Sequence, residues 1–277
     1  MSPARRCAVL GSPIAHSLSP VLHRAAYAAL GLPWTYDALE CGEEGLPGLL
    51  AGLGPEWRGL SLTMPLKRAV LPLLDEAEVL VGQVGAANTV VLADGRSRGL
   101  NTDVPGLLGA LAAEGVAVPV EVGVLGGGAT AASAVAALGL GGARQVHLAV
   151  RRPEAAEPVL RVAEIFGVHV DVAAFEPTAR ALDLPLVVST VPGDAAAPLA
   201  PAVPQGPGVL FDVVYDPWPT ALAAAWESRG GAVLGGFQLL LHQAALQVEA
   251  FCGLPAPVAE MREAGEQALR ARGALKP

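Results

Sequence analysis

Short apolar runs bounded by glycine, proline and aspartate alternate with stretches of helical spacing along the whole chain. The runs at 8–10, 34–39 and 60–63 read as strands, the first of them buried. Ser19-Pro20 opens a helix, with Ser19 as its cap and Pro20 at the first helical position, and Gly31 closes it after Leu30. Segments 88–92 and 97–100, joined through Asp94-Gly95, form a hairpin. Asp103 stands just ahead of a helical stretch that ends near Gly115.

The second half repeats the pattern more tightly. Residues 120–125 read as a strand, 131–140 as a helix and 145–150 as the next strand. Apolar segments at 186–189, 209–211 and 232–234 complete a six-stranded doubly wound sheet, 198–207 reads as a proline-rich loop, and 237–251 and 257–272 are helical. No repeat is visible beyond this strand–helix rhythm, which predicts an α/β protein with mostly parallel sheets.

Composition narrows the class. The 277 residues allow two domains or one large one, and 52% hydrophobic against 16% charged residues excludes a disordered chain. Mean hydropathy of +0.47 raises the question of a membrane span, and the uncharged run between Glu121 and Arg144 is long enough. Its glycines, from Gly123 to Gly142, break it into a buried strand, a tight turn and an Ala-rich helix instead. Arg5 and Arg6 precede only a short apolar stretch before Gly11, too little for a secretory leader. A net charge of -8 argues against a broad nucleic-acid footprint. Cys7, Cys41 and Cys252 form no metal or disulfide pattern, and His16, His23, His147, His169 and His242 have no ligand spacing, so no metal and a reducing cytoplasm are expected.

Gly126-Gly127-Gly128-Ala129-Thr130-Ala131 follows a strand and opens a helix, the G-x-G-x-x-A pattern of a dinucleotide turn. Gly126 permits the turn, Gly128 admits a pyrophosphate, and the helix N-terminus faces it. The next strand ends in Val150-Arg151-Arg152, where an NAD site carries an acid, so a 2′-phosphate and NADP are the better reading, with two solvated arginines as the alternative. The chain has two lysines, Lys67 and Lys276, against sixteen arginines. A lysine amine, unlike a guanidinium, is tunable for proton transfer, so Lys67, where a strand turns into a helix, is a proton-transfer group or a plain surface lysine, whereas Lys276 beside the C-terminus reads as solvated. Asp103 is a partner for that amine or a helix cap. Ser17 and Ser19 are hydroxyls for a polyhydroxylated ligand, or Ser19 is only a cap; Gln243 is a satisfied core amide or a ligand contact.

Six blocks in chain order resemble the shikimate dehydrogenase family: Gly11-Ser12-Pro13-Ile14-Ala15-His16-Ser17-Leu18-Ser19-Pro20, Ser61-Leu62-Thr63-Met64-Pro65-Leu66-Lys67, Gly85-Ala86-Ala87-Asn88-Thr89, Asn101-Thr102-Asp103, Asp212-Val213-Val214-Tyr215-Asp216-Pro217 and Leu239-Leu240-Leu241-His242-Gln243-Ala244. The resemblance implies an N-terminal α/β substrate domain over 1–103, a Rossmann-like doubly wound NADP domain over 104–236, and C-terminal helices over 237–277 returning to the first domain. It implies reversible NADPH-dependent reduction of 3-dehydroshikimate to shikimate in aromatic amino-acid biosynthesis, by a cytoplasmic monomer or homodimer acting on a small molecule, with no nucleic acid or membrane partner.

On the same resemblance Lys67 is the catalytic lysine and Asp103 its paired aspartate, also facing substrate. Ser17, Ser19, Thr63, Asn88, Tyr215 and Gln243 are substrate-binding positions. Gly126, Gly127, Gly128, Ala129, Thr130, Arg151, Arg152, Val213 and Gly236 are cofactor positions. Ser61 departs from the family's usual Asn, Ala129 from Gly, Val150 from Asn and Leu239 from Met. An NAD-dependent quinate/shikimate dehydrogenase and an aminoshikimate-type paralogue share these motifs, and a non-catalytic dinucleotide sensor is the alternative of another class.

Overall fold

Alternation along the first strand explains the first layer. Cys7 and Val9 face one side of the sheet and Ala8 and Leu10 the other, and all are buried, so this strand needs cover on both faces. The computed structural model, which describes residues 3–273, supplies it. The strands here are β1 (Arg6–Gly11), β2 (Thr35–Glu40), β3 (Trp57–Leu62), β4 (Glu76–Ala77), β5 (Thr89–Ala93) and β6 (Arg96–Leu100), in the order β2-β1-β3-β5-β6-β4. The first three are parallel, and β3, β5 and β6 pair antiparallel. Helices α1 (Ser19–Ala29), α2 (Leu46–Ala51), α3 (Leu66–Ala69) and α4 (Val79–Val84) fill the connections. Asp94 and Gly95, at φ 53° and 72°, make the two-residue turn of the expected β5–β6 hairpin.

The chain continues through α5 (Asp103–Ala113), β7 (Glu121–Leu125), α6 (Ala129–Gly141), β8 (Gln145–Val150), α7 (Glu157–Ile165), β9 (His169–Ala174), β10 (Leu186–Ser189), β11 (Val209–Asp212), α8 (Ala221–Ser228) and β12 (Ala232–Gly235). This second sheet is wholly parallel in the order β12-β11-β10-β7-β8-β9, so the winding reverses between β7 and β10. Residues 131–139 of α6 are all buried, because that helix lies between α5 and α7 as well as on the sheet. Trp226 of α8 packs with Val187 and Leu210 on the other face.

Two compact units result, one of residues up to Thr102 with Leu240–Arg272, the other Asp103–Leu239. The last helices, α9 (Gly236–Cys252) and α10 (Val258–Ala271), carry the chain back into the first unit. Phe251 of α9 lies on Gly59 of β3, where any Cβ would run into its ring, and α10 packs on α1, with Arg272 donating to the His16 carbonyl at 2.8 Å. The α/β architecture read from the strand–helix rhythm is the one observed.

Four local expectations are corrected. Ser19 is not a cap: it is the first helical residue, Leu18 holds the N-cap position, and Pro20 is second. The preceding turn, closed by Ser17 N–H to the Ile14 carbonyl at 3.0 Å, already brings the backbone into helical geometry. Asp103 likewise lies inside α5 as its first residue rather than ahead of it. The proline-rich segment is a run of 3₁₀ turns over Gly193–Ala202 before it becomes a loop. The second sheet's sixth strand is β9, which the apolar pattern did not mark: as an exposed edge strand it is defined by backbone pairing with β8 and needs no apolar run. Lys276 lies outside the described residues.

Candidate functional site

Topology converges the polar motifs of the first unit. Parallel pairing puts the C-terminal ends of β1 and β3 at one edge of the sheet, and antiparallel pairing puts the start of β5 and the end of β6 there too. The loops carrying Ser17 and Ser19, Thr63 and Lys67, Asn88, and Thr102 therefore leave the sheet side by side. Such carboxyl-end edges are where α/β folds take ligands.

Each loop is tied down. Glu40, at the end of β2, accepts from the Ser12 hydroxyl at 2.6 Å and from the Ile14 amide at 3.0 Å. Ile14 turns the chain to Ser17, whose hydroxyl accepts the Ser19 amide at 3.3 Å. Gly11 lets the β1 and β3 loops touch: a Cβ there would run into Thr63, and Ser12 N–H donates to the Met64 carbonyl at 2.9 Å. Lys67 sits half-buried on α3, its carbonyl accepting from Ala87 N–H at 2.8 Å, immediately before Asn88. Asn88 is buried and its Nδ2 donates to Gln243 Oε1 at 3.3 Å, so two motifs 155 residues apart meet. Gln243 Nε2 donates to the Leu240 carbonyl at 2.9 Å. Asp103, buried, directly follows Thr102, whose N–H donates to Asn88 Oδ1 at 2.8 Å.

The second unit builds a separate feature at the carboxyl ends of its parallel strands. Gly126, at φ 106°, turns the chain after β7 at the reversal point, beside Thr190, whose hydroxyl donates to the Leu125 carbonyl at 2.8 Å. Gly127 is required by packing, because a Cβ would strike the Ala155 carbonyl. Gly128 is exposed, with nothing within 4 Å of a Cβ position, and caps α6 without a side chain, leaving the first-turn amides to a ligand. Ala129 and Thr130 form that first turn. Arg151 and Arg152 end the loop after β8, both exposed and with no side-chain hydrogen bond or ion pair among the described residues. An open glycine cradle, an uncapped helix start and two unengaged guanidinium groups fit a dinucleotide carrying an extra phosphate.

Val213 and Gly236 meet across this edge. A Cβ at Gly236 would overlap the Val213 carbonyl, and Gly236 N–H donates to the Val214 carbonyl at 3.0 Å. Buried Asp212 accepts from the Val214 amide at 3.2 Å and from the Thr220 hydroxyl at 2.7 Å, fixing the loop that presents half-buried Tyr215. Motif reading missed Glu40 and Asp212 as the residues that hold these loops. Glu40 has no local sign, since its partners lie 26 and 28 residues away.

A groove of about 820 Å³ opens at the opposite end of the first sheet, lined by Arg5, Trp57, Arg58 and Arg96 among others. Its cations are already engaged: Arg5 with the Pro55 carbonyl, Arg58 with those of Phe251 and Leu92, and Arg96 with Glu76. The polar motifs lie at the other end. No helix among the described residues is long and apolar enough to cross a membrane.

Residues 9–90 match the family model described as shikimate dehydrogenase substrate binding domain. The chain is 36% identical over 268 residues to the shikimate dehydrogenase (NADP(+)) of Thermus thermophilus, covering 95% of this chain and 98% of that protein. It is also similar to the crystal structure of Mycobacterium tuberculosis shikimate dehydrogenase, at 44% identity and a TM-score of 0.87, covering 95% and 99%. A Thermus thermophilus structure in complex with NADP(H) and shikimate matches at 36% identity and a TM-score of 0.84, covering 96% and 100%. Similarity of this extent, together with a folded edge that gathers the motif residues of each unit, makes the chain a member of the shikimate dehydrogenase family.

Proposed function

We propose that this protein catalyses the reversible NADPH-dependent reduction of 3-dehydroshikimate to shikimate, the first unit holding the substrate and the second the dinucleotide. The observation that carries the reading is the edge of the first sheet, where Ser17, Ser19, Thr63, Asn88 and Gln243 bring hydroxyl and amide groups onto the same edge as the half-buried residue Lys67. That set suits a ring bearing several hydroxyls and a carboxylate. The Thermus thermophilus relative solved with NADP(H) and shikimate supports it.

In this reading Ser17, Ser19, Thr63, Asn88, Tyr215 and Gln243 bind and orient the ring. Lys67, paired with Asp103, gives a proton to the oxygen that becomes the new hydroxyl, and takes it back in the oxidative direction. The nicotinamide supplies the hydride in reduction and accepts it in oxidation. Arg151 and Arg152 hold the 2′-phosphate, residues 126–130 the pyrophosphate, and backbone at Val213 and Gly236 the nicotinamide end. The enzyme works in aromatic amino-acid biosynthesis in a reducing cytoplasm, where Cys7, Cys41 and Cys252 stay free.

The test is nicotinamide absorbance with shikimate and with quinate, each with NADP and with NAD. Shikimate with NADP is expected to give the highest kcat/KM, by about tenfold or more. No turnover with shikimate and either cofactor overturns the reading.

A further inference from the structure

We infer that Gln247, a residue outside every motif, is a positioning residue that steadies the Asn88 carboxamide in the orientation that Thr102 N–H selects. The inference rests on the reading above, in which Asn88 and Gln243 meet substrate.

Two backbone groups, the Asn88 carbonyl and the Thr102 N–H, fix the directions of the hydrogen bonds between Gln247 and Asn88. Gln247 has one carboxamide atom 3.2 Å from the Asn88 carbonyl, which only accepts, so that atom is Nε2 and the other is Oε1. Oε1 then accepts from the Ser61 hydroxyl at 2.7 Å, and the Ser61 oxygen in turn accepts from the Tyr36 hydroxyl at 2.6 Å. Nε2 also donates to Thr89 Oγ1 at 3.0 Å, which leaves the Thr89 proton for Asn88 Oδ1 at 2.8 Å. Thr102 N–H, which only donates, meets the same Oδ1 at 2.8 Å. Asn88 therefore presents Nδ2 toward Thr102 Oγ1 at 2.9 Å and Gln243 Oε1 at 3.3 Å.

Ser61, Asn88, Thr89, Thr102, Gln243 and Gln247 are all buried, so bulk water cannot replace a lost member and a broken link costs the full desolvation of its partner. Tyr36, the first donor, is stacked on the His23 ring at 3.9 Å and held there. Where the family usually has Asn, this chain closes the chain of donors with the Ser61 hydroxyl and the Gln247 amide together. Without the Gln247 donor, nothing on that side holds the Thr89 proton on Asn88 Oδ1, and Oδ1 is left to its contacts with Thr102, the amide at 2.8 Å and the hydroxyl at 3.2 Å.

Two variants test this. Gln247→Met keeps the volume and removes both polar ends; the shikimate KM is expected to rise about tenfold with the NADP KM unchanged, the loss of about one buried hydrogen bond. Gln247→Glu places a carboxylate against the Asn88 carbonyl, and protonation returns one donor, so its shikimate KM falls as pH is lowered through the carboxyl titration while the wild-type KM shows no such step. Side-chain amide signals of Asn88 in the ligand-free protein, read by NMR, are expected to exchange slowly in wild type and fast in Gln247→Met. Should neither Gln247 variant fold, Ser61→Ala must raise the shikimate KM severalfold. Unchanged KM values with unchanged Asn88 exchange overturn the inference; a wild type inactive on shikimate overturns the functional reading instead, and the NMR comparison still decides the role of Gln247.

Discussion

The Ser12 hydroxyl donates to the Glu40 carboxylate at 2.6 Å, and the other carboxylate oxygen takes the Ile14 amide at 3.0 Å. One side chain at the end of β2 thus clamps the loop from which Ser17 and Ser19 are presented. Because Glu40 is exposed, solvent offsets part of what its removal costs. Glu40→Ala is expected to raise the shikimate KM about threefold to tenfold and leave the NADP KM and thermal stability nearly unchanged. Steady-state kinetics with each substrate varied in turn checks this.

Lys67 is the amine assigned to proton transfer. Lys67→Ala is expected to lower kcat at least about a hundredfold while shikimate binding, read by titration calorimetry, stays within a few-fold. Lys67→Arg keeps the charge but not a proton that can leave near neutral pH, so it is expected to be as inactive. Near-normal turnover by either variant removes Lys67 from the chemistry.

Arg151 and Arg152 stand exposed after β8, with no side-chain hydrogen bond or ion pair among the described residues, so replacing their side chains costs the fold little. The double change Arg151→Ala, Arg152→Ala is expected to lower kcat/KM for NADPH about tenfold to a hundredfold, through lost charge-assisted hydrogen bonds, and that for NADH no more than about threefold. An equal loss with both cofactors assigns the pair to the shared part of the dinucleotide.

His23 gives a pH dependence to folding. It is fully buried, its Nδ1–H donates to the Ser19 carbonyl at 2.9 Å, and its Nε2 has no partner among the described residues. Burial lowers its pKa from 6.5 to about 4, so between these values the unfolded chain binds a proton that the folded one does not. Its contribution is therefore complete above pH 6.5, is lost as pH falls toward about 4, and amounts to on the order of 3 kcal/mol. His23→Asn keeps a donor for Ser19 without titrating in this range. Urea unfolding at pH 7 and pH 4.5 is expected to show a smaller fall in stability for the variant than for wild type.

Local chemistry explains which features were legible early. The glycine turn at 126–128, the Asp94-Gly95 hairpin and the buried strands β7, β8 and β10 each depend on a few consecutive residues. β9 was not legible, because an edge strand is made by hydrogen bonds to β8 and its own side chains stay exposed. Gly127 reads as a free position in the G-x-G pattern and is constrained only by Ala155, which the fold brings against it. Gln247 reads as one polar residue on an apolar helix, and its partners Ser61 and Asn88 lie 186 and 159 residues away.

The amino-acid order alone determined the alternation of strands and helices, the family and the identity of the groups able to do chemistry, since these follow from side-chain pattern and motif spacing. Tertiary structure alone decided which ends of the strands share an edge, which carboxamide atom faces which donor, and which residues hold the loops. Those outcomes depend on pairings between segments far apart in the chain, and a hydrogen bond has a direction only once both partners are in place.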